Sequence, residues 1–69
     1  MNNIKKNVSR QLKGLRESKN LTQKEIASKL NIDRSTYAYW ESAKTEPSIK
    51  HLIKLSKIYN VTIDYLIGN

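Results

Sequence analysis

No cysteine occurs in this chain. Disulfides and thiolate metal sites are therefore excluded, and the core has to come from helix packing alone. The absence suits a reducing cytosol. The lone histidine, His51, has no cysteine or carboxylate cluster beside it, so no metal site is expected, and it reads as an exposed residue on a first helical turn. There is no glycine-rich loop to cradle a phosphate and no pair of carboxylates placed for acid–base work. An enzyme is not expected, and no cofactor or small-molecule ligand is implied. No apolar run approaches the roughly 20 residues of a membrane span, and no signal-peptide core is visible. The chain reads as soluble and cytoplasmic. Acids are also scarce: six Asp and Glu stand against thirteen Lys and Arg, a net charge of +7 over 69 residues. On a chain long enough for one domain only, that excess favours a polyanion, nucleic acid first and an anionic membrane surface second. Separate capped helices whose apolar stripes face one another argue against the membrane.

What is present centres on residues 23–42, QKEIASKLNIDRSTYAYWES. Ile26, Ala27 and Leu30 fall on one stripe of a helix over 23–30, and Tyr37 and Trp40 on one stripe of a second over 34–41. Asn31 tolerates the left-handed conformation that ends the first, Ile32 can plug the corner, and Asp33 is a good N-cap for the second. Ala27 is small where two steeply crossing helices would touch. This is the pattern of a helix-turn-helix. The face left over on the second helix is Arg34, Ser35, Ala38, Tyr39 and Ser42, which carries no acid and suits the major groove of DNA. An ordinary helical hairpin with a solvated polar face gives the same pattern.

Around this core stretch the chain reads as helix throughout. Ile4, Val8, Leu12 and Leu15 predict a helix from 3 to 18 or 19, capped by Asn2 or Asn3. Arg16 sits at the edge of that stripe, where half-burial would require a partner. Gly14 falls mid-helix with no functional reason. Asn20 can end the helix, and Thr22 with Glu25 makes a capping box for the next. Gln23 thereby stands in a first turn, where free N–H groups bind anions, either donating to a phosphate or simply solvated. After 41 comes a loop whose Pro47, the only proline, disfavours helix at Glu46. Ser48 caps a helix over 49–59 with a broad apolar face of Ile49, Leu52, Ile53, Leu55, Ser56 and Tyr59. Asn60 and Val61 turn, Thr62 caps a last helix over 63–67, and Gly68 stops it.

The chain resembles phage-repressor/Cro-type helix-turn-helix domains, also called xenobiotic-response-element regulators. The resemblance spans residues 8–68 and rests on LRESKNLTQKEIASKL, IDRSTYAYWES and EPSIKHLIKLSKIYNVTIDYLIG. It implies an all-α fold: a single five-helix, lambda-repressor-like domain over 1–69, with the helix-turn-helix at 23–42. It implies base contacts from Arg34, Ser35 and Tyr39, with Ala38 against a thymine methyl, and phosphate contacts from Gln23, Thr36 and Lys44. Arg10 and Lys24 are further phosphate candidates. It pairs Arg16 with Glu41, which answers the question that Arg16 raises. It also implies a homodimer on an inverted repeat of double-stranded DNA, acting as a repressor. Ile63, Tyr65, Leu66 and Ile67 are the candidate dimer contacts, unless they only close the monomer core.

Two departures from the family bear on the site. Ala43 stands where a glycine usually follows the third helix; alanine resists a left-handed turn, so the end of that helix and the placement of Lys44 stay open. Tyr37 replaces a smaller aliphatic residue, with a hydroxyl expected to reach the surface or a partner. An antitoxin-like or regulator-binding module, with a protein as its main partner and DNA secondary, remains an alternative.

Overall fold

In the computed structural model, residues 3–68 are described and form five helices with no strand among them: α1 (Ile4–Ser18), α2 (Gln23–Leu30), α3 (Arg34–Glu41), α4 (Ile49–Tyr59) and α5 (Ile63–Ile67). Local chemistry sets these limits. Asn3 accepts from the Lys6 N–H at 3.1 Å and starts α1; the other candidate cap, Asn2, lies outside the described residues. Thr22 Oγ1 accepts from the Glu25 N–H at 3.0 Å, and Glu25 Oε1 accepts from the Thr22 N–H at 2.8 Å, a reciprocal capping box. Ser48 and Thr62 cap α4 and α5 by accepting from the N–H groups of His51 and Tyr65.

Asp33 departs from expectation. Its backbone is extended as an N-cap requires, but its side chain makes no capping hydrogen bond. The exposed carboxylate acts on α3 only through the field at the helix N-terminus.

Three asparagines, Asn20, Asn31 and Asn60, take left-handed conformations with φ of 57°, 59° and 56° at the ends of α1, α2 and α4. Ala43 does the same, with φ of 63°. The doubt about this alanine is resolved against its intrinsic preference: α3 ends at Glu41 all the same. The turn offsets the strain with backbone bonds, the Ala43 N–H donating to Trp40 O at 3.3 Å and the Lys44 N–H to Tyr39 O at 3.0 Å.

The five helices close around Val8, Leu12, Ile26, Ala27, Leu30, Tyr37, Trp40, Leu55, Tyr59 and Leu66, each at most 3% exposed. Ile32 packs against this core from the corner. The Cα radius of gyration is 10.7 Å, close to the roughly 11 Å of a compact domain of this length. α1 lies against α3 and α5, and α2 against α3 and α4. The apolar face of α4 is narrower than its sequence suggests, since Ile49 is 73% and Ile53 41% exposed. His51 is half-buried rather than exposed; its ring lies 5.2 Å from that of Trp40, and its Nδ1 is 2.9 Å from Ser48 Oγ.

The end of α5 is tied to α1. Asn7 Nδ2 donates to Ile67 O at 3.1 Å, and Gly68 follows with φ of 86°. A Cβ there would stand 2.5 Å from Asn7 Nδ2, so both conformation and space call for glycine.

Tyr37 is fully buried, so of the two places expected for its hydroxyl, the surface or a partner, it takes the partner. The hydroxyl meets that of Tyr59 at 3.1 Å. Burial first, then the bond to Tyr59 and the nearby Glu41 carboxylate, push the Tyr37 phenol far above its ordinary value, so it stays neutral. Tyr37→Phe would strand the Tyr59 hydroxyl and is expected to cost about 1–2 kcal/mol by thermal melting, whereas changing both tyrosines to Phe should cost less than Tyr37→Phe alone.

Candidate nucleic-acid interface

The capped corner at residues 31–33 turns α3 so that Tyr37 and Trp40 face the core while Arg34, Ser35, Tyr39 and Ser42 are exposed and Ala38 is half-buried beside them. Tyr39 is 46% exposed. Lys44 Nζ stands 5.3 Å from the centre of its ring, which brings a cation and an aromatic together at the C-terminal end of this face. The exposed face of α3 itself contains no acid.

Behind it runs a chain of polar contacts. Arg16 Nε donates to Glu41 Oε2 at 2.7 Å, and Arg16 Nη2 to Glu41 Oε1 at 3.1 Å, a side-on bidentate pair. Arg16 Nη1 donates to Leu21 O at 2.8 Å. The pair is nearly dry, with the Arg16 and Glu41 side chains 14% and 5% exposed. Burial alone would push the Glu41 carboxyl up, but bonds from Arg16 and Gln23, with the Tyr37 hydroxyl nearby, outweigh it and hold the group below the usual carboxylate range. Ser9 Oγ also donates to the Glu41 backbone carbonyl, pinning the end of α3 to α1.

Gln23 continues the chain. Its Nε2 donates to Glu41 Oε1 at 3.1 Å, and its Oε1 accepts from Arg34 Nη1 at 3.3 Å. Gln23 is thus half-buried and engaged on both sides of its amide, not merely solvated. One amide hydrogen is not used by these two contacts. Lys24 and Arg34 line one open cleft at the corner. Thr36 is half-buried on α3. Arg10 lies farther along α1, where its Nη2 donates to Asn7 Oδ1 at 3.0 Å beside the α1–α5 tie.

Lys13 escaped the sequence reading. With Gln23, Ala38 and Ser42 it lines a cleft between α1 and α3. Along the sequence it is one more outward lysine of the first helix, and only the crossing of α1 over α3 puts it beside the exposed face of α3.

At the other end of the molecule, Leu66 is fully buried, which removes it from the candidate dimer contacts: it points into the monomer core. Tyr65 is 45% exposed. Ile63 and Ile67 line an apolar groove with Ile4, Pro47, Ile49 and Leu52, contributions from α1 and α4 that the sequence did not reveal.

Comparison with known proteins adds the following. A family model described as Helix-turn-helix matches residues 12–66. The HTH-type transcriptional regulator ImmR of Bacillus subtilis is 41% identical over 88% of this chain and 48% of its own length. The HTH-type transcriptional activator BcrR of Enterococcus faecalis is 42% identical over 83% of this chain and 28% of its own. The cryptic phage CTXphi transcriptional repressor RstR of Vibrio cholerae is 30% identical over 88% of this chain and 55% of its own. A crystal structure of a transcriptional regulator from Listeria innocua superposes with a TM-score of 0.86 at 34% identity, covering 90% of this chain and 58% of that one. The chain spans about half the length of several of the curated relatives it matches.

Proposed function

This chain belongs to the helix-turn-helix family of phage-repressor/Cro type, and from that premise we propose that it binds double-stranded DNA sequence-specifically, as a homodimer on an inverted repeat, and represses transcription by occupying the promoter. One observation carries the reading: α3 presents an acid-free face of Arg34, Ser35, Ala38 and Tyr39 outward from a rigid corner. In this reading those four residues meet base edges in the major groove, with Arg34 bidentate to a guanine. Gln23, Thr36, Lys44, Lys24 and Lys13 hold the phosphates on either side, and Arg10 takes a peripheral one.

Repression by occupancy asks only for tight binding at the right place, which a single DNA-reading domain supplies. The match covers 28% of the length of the relative named as an activator and 55% of that of the relative named as a repressor. The whole of 1–69 acts as one domain, working in the cytoplasm beside the DNA. A second copy docks on the apolar groove at α5, through Ile63, Tyr65 and Ile67 with Ile4 and Ile49. Among the described residues no helix is long and apolar enough to cross a membrane.

Selection from random duplex DNA followed by footprinting tests this directly. A two-fold symmetric site with half-sites about one helical turn apart is expected. Arg34→Ala should then weaken binding by about 1–3 kcal/mol and relax preference at one base pair per half-site. An unsymmetric site, or an Arg34→Ala protein with unchanged preference, would remove the dimer or the arginine contact respectively.

A further inference from the structure

The contacts among Glu41, Gln23 and Arg34 do more than hold helices together. A glutamine amide has a donor end and an acceptor end, and nothing in its shape decides which faces where. Here both neighbours decide it in the same sense. Glu41 is a carboxylate that only accepts, so it takes the NH2 end of Gln23, at 3.1 Å. The remaining end, Oε1, faces Arg34 Nη1 at 3.3 Å, and a guanidinium only donates. The flipped amide would set oxygen against carboxylate and NH2 against guanidinium. Glu41 is held in turn by Arg16 through two bonds, in a nearly dry setting.

We propose that Glu41 is a specificity-positioning residue, acting through Gln23: by fixing the direction of the Gln23 amide it presents an acceptor to Arg34 and aims the guanidinium before DNA arrives. The inference rests on the reading of Arg34 as a base contact. With Nη1 tied to Gln23, the Nε and Nη2 edge of Arg34 stays free, the same fork that Arg16 uses on Glu41. That edge fits O6 and N7 of a guanine. Pre-aiming removes rotamer freedom that Arg34 would otherwise lose on binding. The second NH2 hydrogen of Gln23 remains for a phosphate, so one side chain couples the register of the backbone contact to the direction of the base contact.

The test uses the full chain and duplexes as probes: the consensus that wild type selects from a random pool, and its single-base-pair variants. Glu41→Gln keeps the shape of the side chain and one acceptor for Arg16, but its amide lets Gln23 turn its NH2 toward Arg34. Discrimination at the base pair that Arg34→Ala relaxes is expected to fall about fivefold or more, the low end of a bidentate arginine contact, with other positions unchanged. Gln23→Met leaves the Arg16–Glu41 bonds in place and should lose the same discrimination, which covers the case that Glu41→Gln fails to fold. The double variant Gln23→Glu with Glu41→Gln puts an acceptor back beside Arg34 and is expected to recover it, while binding all duplexes more weakly for want of the phosphate donor.

A merely structural Glu41 would lower affinity for every duplex alike and would not be rescued by the exchange; that result overturns the proposal. If Arg34→Ala abolishes discrimination at one pair while Glu41→Gln and Gln23→Met leave it intact, the positioning role fails and the DNA reading stands. If Arg34→Ala alters no position, the base contact itself fails and the positioning role with it.

Discussion

Replacing Glu41 with alanine is expected to lower the melting temperature by about 12–24 °C. The figure follows from leaving the Arg16 guanidinium, only 14% exposed, without its carboxylate. Removing one partner of a buried pair costs about 3–5 kcal/mol, and the retained bond from Arg16 to Leu21 O favours the lower end. At about 3 kcal/mol, and 4–8 °C per kcal/mol for a domain of this size, the shift follows. A domain of this length holds only roughly 3–10 kcal/mol in total, so the variant sits near the edge of folding. Replacing both partners, Arg16→Met with Glu41→Leu, should recover most of the loss, because neither charge is then stranded. A loss under about 1 kcal/mol for Glu41→Ala would mean that the pair behaves like an exposed one.

The same pair gives the stability a pH dependence of known sign. The Glu41 carboxyl is held below its ordinary value of 4.5 in the folded protein. Its contribution is therefore complete above that ordinary value and is lost as pH falls through the lower, folded one. The gap in melting temperature between wild type and Glu41→Ala should be widest near neutrality and close as the solution is acidified below about pH 4.

The second large effect is on DNA binding, which should fall steeply with salt. Lys13, Lys24 and Lys44 are the candidate phosphate-binding cations beside the exposed face of α3. With the peripheral Arg10, two protomers bring about eight such contacts, which gives a slope of log affinity on log salt near −7 and a loss of about ten-thousandfold between about 50 and 200 mM. Lys24→Ala should weaken binding to all duplexes alike and flatten the slope by about one unit per protomer, with base preference intact. Filter-binding or anisotropy titrations over that range decide it. A slope near zero would detach the net charge of +7 from nucleic acid altogether.

The helices were legible because the signals that bound them are local. Four of the five ranges coincide with the spacing and caps read from residues alone, and α1 differs only in starting one residue later. Thr22, Ser48 and Thr62 each bond a backbone N–H three residues on, a contact that needs no distant partner. Asp33 and Ala43 are where local chemistry misled. An aspartate that can cap need not, and an alanine takes a left-handed turn when the chain on both sides demands it. The exposed face of α3 was legible too, as the remainder of that helix once Tyr37 and Trp40 are assigned to the core.

What the sequence by itself determined is the helical pattern, the corner at residues 31–33 and an excess of positive charge with no acid on the exposed face of α3. These depend on residues within one or two turns of each other. Only the tertiary structure decided that Tyr37 meets Tyr59, that Leu66 turns inward while Ile4 and Ile49 share a groove with α5, that Lys13 borders the exposed face of α3, and that Gln23 joins Glu41 to Arg34. Each of those contacts crosses between helices, and the side-chain spacing along one helix carries no information about the angle at which another crosses it.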